Sequence, residues 1–115
     1  YNPLAERQIR KIAEQTEIAG KSILVVHEQI TANSCREALR ELGAKRVDIA
    51  TWFMLKKELS EAGDLQLSEE TDLVQSVCSG KYDMIIADPV MLPLLRECFD
   101  GVFAGLPHFA VSGKL

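Results

Sequence analysis

No stretch of this chain is apolar for long enough to cross a bilayer, and its first residues carry no signal-peptide pattern. There is no excess of positive charge: 13 Lys and Arg stand against 17 Asp and Glu, a net charge of −4. A basic face is therefore missing, and neither nucleic acid nor a membrane is expected as a partner. Cysteine is scarce and odd in number, at Cys35, Cys78 and Cys98. No C-x-x-C occurs and the spacings are wide. That excludes a secreted disulfide framework and a recognisable zinc site, and a reducing cytoplasm is the simplest setting. No G-x-G-x-x-G is present either, so a tight pyrophosphate cradle is not supported. Internal repeats and low-complexity segments are also missing.

What remains is an ordinary globular composition. Of the 115 residues 47% are hydrophobic and 26% charged, enough for one real core and one domain. The chain opens directly into a helical pattern and stops at "VSGKL" without a closing element. The expectation is a single α/β domain, 1–115, excised from a longer multidomain protein, with 1–19 as an N-terminal helix packing on it.

Periodicity supplies the elements. Leu4, Ala5, Ile9, Ile12, Ala13 and Ala19 recur at helical spacing, with Gly20 as the stop. "SILVVH" reads as a buried strand. "ITANSCREALRELGA" follows as a helix, its stripe being Ile30, Cys35, Ala38, Leu39 and Leu42. Thr31 or a neighbour would cap it and Gly43 would end it. "RVDIATWF" predicts a strand, "MLKKELSEAG" a helix ending at Gly63, and "LQL" a very short strand. "SEETDLVQSVCSG" predicts a helix with Ser68 as cap. "YDMIIAD" predicts a central strand with Ile85 and Ile86 covered on both faces. A helix to about Phe99, a turn at Asp100-Gly101 and a last strand "PHFAV" complete the chain. Strands alternating with helices imply a three-layer Rossmann-like domain. Its parallel sheet would have four or five strands, in the expected order 3-2-1-4-5.

In such a sheet ligands bind at the carboxyl ends of the strands. Four residues fall there. His27, Glu28 and Gln29 form the turn after the first strand, where they either line the crevice or make a solvated turn. Asp88, before Pro89, admits three roles: helix cap or turn residue, ligand contact, or phosphoacceptor. A cap would accept from the N–H of Val90 or Met91. "YDMIIADPVMLP" resembles the strand and loop around the phosphorylated aspartate of response-regulator receivers. Those proteins place an acid pair after the first strand, however, and "HEQ" offers only Glu28. No catalytic residue and no metal ligand is assigned. The three cysteines sit on apolar helical stripes and are expected to be separate and buried, with no disulfide. His108 is expected to be structural. "WFML", Trp52 to Leu55, reads as a strand end, or as a buried face toward a neighbouring domain.

One family is similar over most of the chain. "GKSILVVHEQITANSCREALRELGAKRVDIATWF" resembles the opening of a Rossmann-like domain in the nitrogenase component 1 type oxidoreductases. That family includes dinitrogen-reducing proteins, cofactor-assembly scaffolds and dark-operative protochlorophyllide reductases. "EETDLVQSV", "YDMIIADP" and "GLPHFAV" continue the likeness, which spans Gly20 to Val111. The resemblance implies an oxidoreductase or scaffold as the parent protein, with a metal cluster held outside this chain and no cofactor within it. It implies sister domains of the same chain and a homologous subunit as partners, and an isolated domain without activity. The alternative is a small-ligand-binding or regulatory α/β module, with receiver-like signalling a distant third.

Overall fold

The computed structural model describes residues 3–52, 55–61, 63–95, 98–99 and 101–105, the side chains of 3–5, 59 and 90 excepted. Its elements alternate: α1 (Pro3–Gln15), β1 (Ser22–Val26), α2 (Gln29–Glu41), β2 (Arg46–Thr51), β3 (Leu65–Gln66), α3 (Glu70–Cys78), β4 (Met84–Ala87), α4 (Leu92–Leu95) and β5 (Val102–Gly105). The five strands form one parallel sheet in the order β3-β2-β1-β4-β5.

Burial on both faces explains the unbroken apolar strands. Ile23 and Val25 of β1, Val47 and Ile49 of β2, and Met84 and Ile86 of β4 face one layer. Ile9 of α1 and Ala32, Cys35, Ala38 and Leu39 of α2 cover them. Leu24, Val26, Ala50, Ile85 and Ala87 face the other way, against Leu73 and Val77 of α3 and Leu95 of α4. Ile85 and Ile86 are both fully buried, one in each layer, as expected. Ile30 is not on the buried stripe of α2: it is 56% exposed. Gly43 ends that helix in the left-handed region, at φ 96°.

Several boundaries differ from expectation. Helix α1 stops at Gln15, before Ala19, and Gly20 instead turns the chain into β1, its N–H bonded to the Gly43 carbonyl at 2.9 Å. The helix expected at "MLKKELSEAG" reduces to one 3-10 turn, Lys57–Leu59. Two tethers forbid it. The Gln29 amide holds the main chain of Lys56 extended, and the Asp64 carboxylate takes the Glu61 N–H at 2.9 Å. The fifth strand is Val102–Gly105, ahead of "PHFAV"; that stretch and His108 lie outside the described residues, as do Phe53, Met54 and Asp100.

A buried ion pair fastens β3 to α2. Arg36, its side chain 3% exposed, donates to Asp64, 0% exposed, at 2.7 Å and to Asn33 at 2.8 Å. Asp64 also accepts the Ile49 N–H at 3.1 Å, standing in for a ladder partner where β3 has not yet begun. On the opposite layer Asp48 accepts from Tyr82 Oη at 2.7 Å and Arg46 Nε at 2.9 Å. Burial, followed by that bond and the Asp48 charge, pushes the Tyr82 phenol up.

The cysteines overturn the expectation of three separate buried thiols. Cys78 and Cys98 are exposed and joined as a disulfide, 20 residues apart in sequence. Only Cys35 is free and buried, and burial pushes its thiol up to about 12. The buried stripe of α3 runs through Leu73 and Val77 rather than Val74, which puts Cys78 on the rim.

Candidate functional site

The strand order reverses between β1 and β4, and the carboxyl edge there is the switch point of the sheet. Continuing the Val25↔Ile86 register past the strand ends brings the His27 turn opposite the Asp88 turn. The structure therefore gathers the four sequence-derived candidates at one edge, and it gives them different duties.

His27 is buried. Its N–H donates to Ala50 at 3.2 Å, and its Nδ1 accepts the Glu28 N–H at 2.9 Å, which leaves Nε2 to carry the proton in the neutral ring. Glu28 is the N-cap of α2, accepting from Ile30 at 3.2 Å and Thr31 at 2.6 Å. Thr31 itself is therefore not the cap. Burial alone would raise the Glu28 carboxyl. The bonds from the Thr31 hydroxyl and the Thr31 and Ile30 N–H groups outweigh it, His27 adds to them, and the group is held below its ordinary value. Its folded pKa being lowered, Glu28 contributes stability that is complete above the unfolded value and fades as pH falls through the folded one. Carbon-detected NMR titration should give a Glu28 midpoint below 4.5; a midpoint at or above that value contradicts the cap.

Gln29 is a clamp. Its amide donates to the Lys56 carbonyl at 3.1 Å and accepts the Lys56 N–H at 2.9 Å, mimicking a strand partner for the chain beyond β2. Asp88 opens a 3-10 turn, Pro89–Met91, that leads into α4. The Met91 N–H donates to the Asp88 carbonyl oxygen at 2.9 Å, so this part of the turn is built on the main chain. Among the described residues no three His, Cys, Asp or Glu side chains are placed to share a metal ion. Incubation with a small phosphodonor and magnesium should leave the intact mass unchanged. Asp88→Asn should alter stability by less than about 0.5 kcal/mol, with Asp88→Ala the less stable of the pair. A phosphate-sized mass gain, lost in the Asn variant, would make Asp88 a phosphoacceptor.

The same edge holds a group that the periodicity did not single out as a ligand contact. Trp52, the first residue past β2, packs partly buried against the α3 layer. Its indole N–H is buried without a hydrogen-bond acceptor among the described residues. Such a donor costs about 1–3 kcal/mol when left unmet. The only sequence signal was a large amphipathic ring at a strand end. Three clefts, of about 470, 400 and 440 Å³, lie elsewhere, and none is lined by the four candidates or by Trp52.

No family model matches the sequence, and no curated protein does. Among solved structures the chain is similar to glutamyl-tRNA reductase from Methanopyrus kandleri. The TM-score is 0.52 at 19% identity, covering 82% of this chain and 25% of that one. The chain thus spans about a quarter of that reductase's length, and at this identity the likeness is one of fold: a Rossmann-like α/β domain.

Proposed function

We propose that this chain is a Rossmann-like domain of a nitrogenase component 1 type oxidoreductase or cofactor-assembly scaffold. In this reading its carboxyl edge forms one wall of a crevice closed by a sister domain. The family part rests on the stretch from Gly20 to Val111. The crevice part rests on Trp52, whose buried N–H awaits an acceptor at the edge where open parallel sheets bind ligands. The chain's own residues supply a wall, not chemistry. Glu28 and Gln29 make the cap and the clamp, and His27 and Asp88 stand on either side of the switch point. A metal cluster, if the parent protein carries one, is held elsewhere. Cys78 and Cys98 are bonded to each other and Cys35 is sealed in the core, so the cysteines here do not fit as its ligands. A homologous subunit and a cytoplasmic setting belong to the same reading; no helix among the described residues is long and apolar enough to cross a membrane.

Two measurements test it. The parent protein, purified without oxygen, should contain stoichiometric iron and acid-labile sulfide; an iron-free parent would leave the small-ligand or regulatory module in its place. Trp52→Phe keeps an aromatic ring and removes the donor together with part of the indole. In the 115-residue chain it should cost only the packing of the lost ring atoms, because the N–H has no acceptor among the described residues to lose. In the parent protein the same change should weaken the contact that closes the crevice. An equal loss in the isolated chain and in the parent protein would show that the donor makes no contact across the crevice.

A further inference from the structure

We propose that Cys78 and Cys98 form a thiol–disulfide exchange site whose redox state sets how firmly the α4–β5 corner is held to the sheet. The bond joins the last residue of α3 to the turn after α4, with Cα atoms 5.4 Å apart and both side chains exposed. An exposed bridge is open to an attacking thiolate, whereas a buried one is shielded. A cleft of about 440 Å³ is lined by both cysteines together with Lys21, Asp83 and Phe99. It offers room for an incoming thiol, with the Lys21 ammonium and the Asp83 carboxylate both on its wall.

The co-reactant is a dithiol. Its thiolate attacks one sulfur, the Cys78–Cys98 bond breaks, and the other cysteine leaves as a thiolate that takes up a proton. The second thiol of the reductant then attacks the mixed disulfide, releasing the remaining cysteine. Two electrons and two protons pass to the protein, and the reductant becomes a disulfide.

The bridge restrains the weakest corner of the fold. Helix α4 is a single turn of 4 residues, too short to hold itself, and among the described residues β5 pairs with β4 alone, at the edge of the sheet. Leu95 and Phe99 pack this corner against the α3 layer. At one end β5 begins beside the bridge, where the Val102 N–H bonds to the Asp83 carbonyl at 3.1 Å. At the other end Gly105 abuts the Asp88 turn: a Cβ on Gly105 would stand 2.8 Å from Pro89 Cγ. The strand therefore connects the cysteine pair to the turn that carries Asp88. This linkage stands whatever ligand the carboxyl edge binds.

Hydrogen exchange on the whole chain, oxidised and then reduced by a dithiol, tests the proposal. Alkylation of the folded chain should capture no thiol when oxidised and Cys78 and Cys98 when reduced, with Cys35 reacting only after denaturation. On reduction the amides of α4 and β5 should exchange about tenfold faster or more, while β1 and β2 change by less than about twofold. The Cys78→Ser, Cys98→Ser double variant should match the reduced protein; if it fails to fold, reduction of the native chain still gives the reading. The proposal is overturned if oxidised glutathione does not form the bond. It is equally overturned if reduction leaves β5 unchanged, or if β1 loosens as much as β5, which would make the bridge a global brace.

Discussion

Replacing Asp64 with alanine should cost about 3–5 kcal/mol, the range for breaking a buried ion pair from one side. Its side chain is 0% exposed and its partner Arg36 is 3% exposed, so the variant strands a guanidinium away from water. The carboxylate also receives the N–H groups of Ile49 and Glu61, which lose their acceptor in the same stroke. Asp64→Asn should be milder, since it keeps an acceptor and removes only the charge. Arg40→Ala is the control: its pairing with Glu61 is exposed, and exposed pairs contribute about 0–1 kcal/mol. Urea unfolding of the three variants would decide. A loss below about 1 kcal/mol for Asp64→Ala would mean that the Glu61 pair already present at 3.6 Å and the Asn33 bond suffice to hold the Arg36 guanidinium.

Ile85→Ala and Ile86→Ala should each cost about 2–5 kcal/mol, because each opens a cavity in a strand covered on both sides. The residues are neighbours in sequence, yet they share no layer: Ile85 packs with Leu73 and Leu95, Ile86 with Ile9 and Leu39. Their effects should then nearly add. The double variant approaches the whole stability of an ordinary domain, about 5–15 kcal/mol, and should be largely unfolded at room temperature. Clear non-additivity would show that the two layers communicate through β4.

The sheet was legible because its inner strands are sealed on both faces. "SILVV" and "MIIA" can be little else, and a strand–helix alternation then leaves few orders to choose from. Strand β5 was missed for the opposite reason: Val102, Phe103, Ala104 and Gly105 lie on an edge, none is fully buried, and the apolar run is only three residues long between two glycines. The missing helix after β2 shows what periodicity leaves out. A side-chain amide 27 residues away captures the Lys56 main chain, and no local propensity encodes that. Cys35 was read correctly, and Cys78 was misjudged by one position of helical phase. A stripe counted from Val74 buries Cys78, whereas the true stripe through Leu73 and Val77 sets it on the rim beside Cys98. At the site, the sequence left His27, Glu28 and Gln29 open between crevice lining and a solvated turn. Glu28 and Gln29 have the polarity of ligand contacts, but their partners are the first turn of α2 and the chain beyond β2. The unmet donor of Trp52 is a property of what surrounds it, which composition does not display.

The central place of β1 orders the events of folding. It is the first strand in sequence, and both β2 and β4 dock on it. The loop closed by the β1–β4 pairing is roughly two and a half times as long as that closed by β1–β2, a difference of about 0.8 kcal/mol in closure entropy. The β1–α2–β2 unit should therefore assemble first, with the Gln29 clamp already in hand, and present a ready edge for β4. A chain cut between α3 and β4 would divide along that boundary. Its amino-terminal piece should hold residual structure alone, while its carboxyl-terminal piece, deprived of β1, should stay unfolded until the two are mixed.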